Sequence, residues 1–115
     1  MSDEVLNPVD IERAIRKVAE RIHEGVKVVT NAEAKAREAD RLHEVAVAQA
    51  YLSHEGPAHE KKYAAVLATQ DERQALDLAE VEFKYADRTA RALVEELRAL
   101  QSVGASVRAM YGSQQ

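Results

Sequence analysis

The stretch that decides the fold runs from Ala58 to Met110: AHEKKYAAVLATQDERQALDLAEVEFKYADRTARALVEELRALQSVGASVRAM. It contains no proline, its one glycine is Gly104, and it is built mainly from Ala, Leu, Glu, Arg and Gln, residues that cost little in a helix. Apolar or small side chains recur at Ala75, Ala79, Phe83, Ala86, Ala90, Leu93, Leu97, Leu100, Gly104, Val107 and Tyr111, in steps of three and four. Such spacing makes a seam along one side of a helix, and the seam leaves water only against a partner helix. The reading is a single long helix over 58–111. At about 1.5 Å per residue it would span roughly 80 Å, which predicts an elongated fold.

Working outward, Ser53-His54-Glu55-Gly56-Pro57 is Gly-Pro punctuation and marks a turn at 54–57. The segment before it, 30–53, is helical by composition and thin. Ala32, Ala34, Ala36, Ala39, Ala46, Ala48 and Ala50 keep its girth small, and Leu42, Val45, Tyr51 and Leu52 add bulk toward its end. A short connection between two helices sets them antiparallel, so the centre of the fold reads as a helical hairpin.

Nearer the start, Asn7-Pro8 followed by Asp10 and Glu12 opens a helix, with a capping amide, a proline in the first turn and early acids. Ile11, Ile15, Val18 and Ile22 then form a sharp apolar stripe that predicts core, as do Phe83, Leu93, Leu97 and Leu100 on the long helix. Gly25 and the β-branched run Val26 to Thr30 lower helix propensity, and Thr30 with Glu33 has capping-box spacing. This favours separate helices over 8–24 and 30–53, with one kinked helix from Pro8 to Ser53 as the alternative. The fold class is therefore all-α: an elongated antiparallel hairpin with an additional N-terminal helix and coiled-coil-like packing. It forms a single domain over 1–115, frayed at 1–6 and 112–115.

Composition agrees. Of 115 residues 46% are hydrophobic and 31% charged, but only 4% are aromatic, so the core is small and aliphatic. There is no cysteine, which removes disulfide, thiol and Cys-zinc chemistry and fits a reducing compartment. The acidic start Met1-Ser2-Asp3-Glu4 has no apolar segment behind it, and no window approaches the ~18 apolar residues of a membrane span. Together these predict a soluble, cytoplasmic protein.

The net charge of −4 is unevenly placed. Residues 1–83 carry eleven basic and seventeen acidic side chains, whereas 84–115 carry five and three. Lys84, Arg88, Arg91 and Arg98 form a basic stripe that could meet phosphates of single-stranded DNA. Asp87, Glu95 and Glu96 lie among them without stacking aromatics, so a solvated face is the preferred reading and nucleic acid the alternative.

Catalytic signals are sparse. His54, Glu55, His59 and Glu60 surround the turn without the paired-histidine zinc motif, and Glu20 with His23 is a single instance of a spacing that di-iron bundles use twice. With no Gly-rich phosphate loop and no nucleophile elbow, the chain reads as non-enzymatic, with no metal and no cofactor. What stands out instead is a second face of the long helix, Leu78, Val81, Tyr85 and Ala92, roughly opposite the first. One partner helix cannot cover both. This predicts a homo-oligomer, with Leu78, Val81 and Tyr85 as the partner interface, that offers a helical surface to another, unidentified protein.

The run Phe83-Lys-Tyr-Ala-Asp-Arg-Thr-Ala-Arg-Ala-Leu-Val-Glu-Glu-Leu-Arg-Ala-Leu-Gln-Ser-Val-Gly-Ala-Ser-Val-Arg-Ala-Met-Tyr111, with Tyr51-Leu52 ahead of the Gly turn, resembles small α-helical proteins of phages of actinobacteria. The resemblance implies a phage-encoded accessory in the host cytoplasm, either an oligomeric adaptor or a factor near replication or recombination that touches single-stranded DNA. It carries no catalytic or ligand residues.

Overall fold

The structure is a computed structural model that describes residues 7–112, and the described residues form three helices and no strand. Helix α1 spans Pro8–Ser53, α2 spans Ala58–Ala68 and α3 spans Gln70–Gly112. The all-α class and the hairpin packing hold. The expected fraying at 1–6 and 113–115 lies outside the described residues, and Gly112 is the last residue of α3.

Helix α1 opens as its residues dictate. The Asn7 side-chain oxygen accepts the Asp10 backbone N–H at 3.0 Å, its amide donates to the Asp10 carboxylate at 2.7 Å, and its carbonyl accepts the Ile11 N–H at 3.1 Å. One of the N–H groups that a helix start leaves unpaired, that of Asp10, is thus satisfied by the capping side chain, and the Ile11 bond is the first of the helix itself.

The helix then continues without a break to Ser53, so the stretches 8–24 and 30–53 form one helix, as in the alternative reading, and among the described residues no separate N-terminal helix precedes the hairpin. The physical reason is the seam. Residues Ile11, Ile15, Val18, Ile22, Gly25, Val29, Ala32, Ala36, Ala39, His43, Ala46 and Ala50 are all buried or half-buried and step by four and three throughout. Gly25 sits inside that rhythm rather than ending it. Its propensity cost of about 1 kcal/mol is outweighed by the packing of the stripe on either side. At the capping-box spacing of Thr30 and Glu33 no new helix starts, and the Glu33 carboxylate accepts Arg37 at 2.8 Å, which raises the exposed Arg37 pKa.

The expected single helix over 58–111 is broken at Thr69. This residue is 3% exposed and falls on the seam, which runs Ala65, Thr69, Glu72, Leu76, Ala79, Phe83 and onward. A buried hydroxyl needs a partner, and that of Thr69 donates to the Ala65 carbonyl at 2.7 Å. The Thr69 N–H turns to the Val66 carbonyl at 3.4 Å, which also accepts the Gln70 side-chain amide at 2.8 Å. Back-bonding of this kind is a known cause of bends. Because Thr69 keeps a seam position, the phase of the stripe passes through the break unchanged.

The chain packs as two compact units. In the first, Met1–Val28 with Asp87–Gln115, the helices run antiparallel: Ile11 and Ile15 face Gly104, Arg21 lies 3.9 Å from Glu96, and Gly25 faces Leu93. Large side chains meet small ones. Val18 and Leu93 are buried as expected, whereas Ile15, Ile22, Leu97 and Leu100 are half-buried, since a single partner helix covers each from one side only. The second unit, Val29–Ala86, closes at the turn, where Lys61 sits 5.7 Å from the Tyr51 ring centre and His54 pairs with Glu60 at 3.5 Å. Its seam residue is Leu76, not Ala75, which is exposed, and Phe83 is half-buried.

Candidate interaction surface

The second unit buries few large side chains. Its seam carries alanines, Ala32, Ala36, Ala39, Ala46, Ala50 and Ala65, together with the polar His43, Lys61, Thr69 and Glu72. Most of its bulky apolar side chains lie exposed, whereas Leu76 is buried and Val29, Val47 and Phe83 are half-buried. Among the described residues sixteen large hydrophobic side chains lie exposed, and ten of them belong to this unit.

Seven of those ten fall into stripes. On α3, Leu78, Val81 and Tyr85 are 60%, 64% and 72% exposed, and each lies two residues beyond a seam residue, Leu76, Ala79 and Phe83. Two residues correspond to about 200° around a helix, so this face looks away from the hairpin partner. Leu67 occupies the equivalent place on α2, two beyond Ala65, and is 75% exposed. On α1, Val45 and Leu52 repeat the offset from His43 and Ala50, with Leu42 beside them. A lone exposed leucine needs no explanation, but stripes that keep the heptad period of the buried seam do.

The sequence-predicted face Leu78, Val81 and Tyr85 is therefore exposed as one strip. What the sequence reading did not assign to it is Leu67 on α2 and the α1 strip of Leu42, Val45 and Leu52. The signal was available: once His43, Ala46 and Ala50 are counted as seam, the leucines and valine beside them must face outward.

Lys84, Arg88, Arg91 and Arg98 all lie on α3. Arg91 pairs with Asp87 at 3.0 Å and Arg98 with Glu95 at 2.7 Å, while Lys84 and Arg88 have no ion-pair partner among the described residues. All four are exposed. At the turn, His54 lies over Gly56, so close that a Cβ there would come 2.6 Å from its Nε2, which also lies 3.5 Å from the Glu60 carboxylate. Among the described residues no group of three or more His, Asp and Glu is placed to hold a metal ion, and no helix is long and apolar enough to cross a membrane.

No protein-family model, no curated protein and no solved structure matches this chain.

Proposed function

We propose that this protein is a non-enzymatic helical interaction protein that works by association, as a homo-oligomer offering a helical surface to another protein. One observation carries the reading: the second unit fills its seam mainly with alanine and polar residues, apart from Val29, Leu76 and Phe83, and leaves Leu42, Val45, Leu52, Leu67, Leu78, Val81 and Tyr85 exposed. A two-helix unit with an alanine seam buries little apolar area by itself, and covering Leu67, Leu78, Val81 and Tyr85 adds about 1.5 to 3 kcal/mol for each large side chain fully removed from water. The α3 strip serves self-association. The α1 strip of Leu42, Val45 and Leu52 is then available to a different protein. The likeness of the Phe83 to Tyr111 run to helical proteins of actinobacterial phages supports the role of a phage-encoded adaptor in the host cytoplasm.

Light scattering at high micromolar concentration tests this. The expected mass is a multiple of 12.8 kDa, and Leu78→Glu with Val81→Glu reduces it to the monomer while circular dichroism stays helical. A monomeric wild-type protein refutes the reading.

A further inference from the structure

The outer positions of α3 within the second unit form their own heptad frame, Asp71, Gln74, Leu78, Val81 and Tyr85. Asp77 and Lys84 flank it on one edge, Ala75 and Glu82 on the other. When two helices join along such a stripe, the flanking residues meet across the interface and their charges set orientation and register. In an antiparallel pair each edge meets its own copy, so the pattern can be tested against each alignment.

A parallel pair places Asp71 on Asp71 of the second copy inside the stripe, and sets Asp77 beside Glu82. An antiparallel pair with Tyr85 opposite Val81 brings Glu82 onto Glu82 and Lys84 onto Lys84. Sliding two heptads from there, with Gln74 opposite Leu78, brings Asp77 onto Asp77. The remaining alignment sets Leu78 opposite Val81 and Tyr85 opposite Gln74. It joins Asp77 to Lys84 twice by symmetry, leaves Glu82 beside Ala75, and creates no like-charge contact.

We infer that a second copy of this chain covers the α3 face in this alignment, about a two-fold axis passing between Ala79 and Glu80; the inference rests on the self-association proposed above and adds its geometry. Lys84 has no ion-pair partner among the described residues and is supplied with one. Asp77 already accepts Arg73 at 3.2 Å, an exposed pair, but a carboxylate accepts several donors and the two contacts are compatible. The interface is isologous, as a closed dimer requires.

Because the chain has no cysteine, disulfide trapping reads the alignment directly. The variant Gln74→Cys/Tyr85→Cys gives a covalent dimer on mild oxidation. Gln74→Cys and Tyr85→Cys alone give none, because each residue lies eleven positions, about 16 Å, from its own copy along the axis, beyond disulfide reach of about 7 Å between Cα atoms. Asp77→Lys weakens dimerisation about tenfold, and Asp77→Lys/Lys84→Asp restores it. Self-linked Tyr85→Cys dimers would establish a parallel pair and overturn the inference. So would a dimer by light scattering in which the double variant does not link, which leaves self-association standing. A wild-type monomer overturns both.

Discussion

Two glycines lie on the seam of the first unit, and alanine should have opposite consequences at them. Both have ordinary helical backbone, with no positive φ, so each gains about 0.8 to 1 kcal/mol of helix propensity on becoming alanine. At Gly25 the new Cβ would meet only Leu93 Cδ1 at 4.0 Å, an ordinary van der Waals contact. Gly25→Ala is therefore expected to stabilise by about 1 kcal/mol. At Gly104 the Cβ would come 3.1 Å from Ile11 Cγ2 and 3.8 Å from Ile15 Cδ1. Ile11 is 5% exposed and has little room to withdraw, and overpacking costs about 1 to 3 kcal/mol. Set against the same propensity gain, Gly104→Ala comes out between neutral and about 2 kcal/mol destabilising. Urea unfolding followed by circular dichroism, at one protein concentration because association shifts apparent stability, measures both. If Gly104→Ala stabilises as much as Gly25→Ala, the close approach of α1 to α3 at Ile11 is wrong. If Gly25→Ala destabilises, the helix does not run straight through residue 25.

Two further outcomes follow from the described geometry. The first backbone bond of α3 is from the Arg73 N–H to the Thr69 carbonyl, so hydrogen exchange by NMR should find Gln70, Asp71 and Glu72 exchanging much faster than Leu76 to Ala86; uniform protection from Ala64 to Ala86 would mean an unbroken helix. The basic residues of α3 are expected to be a solvated face: Arg88→Glu/Arg91→Glu should change stability by less than about 1 kcal/mol, since the Asp87 pair is exposed. Binding of the wild-type protein to oligonucleotides at physiological salt, with a steep salt dependence and loss in this variant, would instead install the single-stranded DNA reading.

Much of this protein is written locally and could be read from the sequence. Asn7-Pro8 with Asp10 starts a helix through its own side chains, Gly56-Pro57 ends one, and a chain rich in alanine, leucine and glutamate leaves no alternative to helix between them. The outward position of Leu78, Val81 and Tyr85 was also legible, because angle around a helix follows from residue number alone. Tertiary structure decided what depends on a partner helix. Thr30-Asn-Ala-Glu33 and Thr69-Gln-Asp-Glu72 carry the same local signal, yet the chain bends at the second and not at the first. The two differ in burial: Thr30 is exposed in an unbroken helix, whereas Thr69 is buried on the seam. Gly25 likewise reads as a breaker by propensity and is helical in fact, because the residues on either side pack in one register across it. Local preferences of about 1 kcal/mol per residue fix the kind of structure; which of them are honoured is set by the larger free energy of burying one stripe against another.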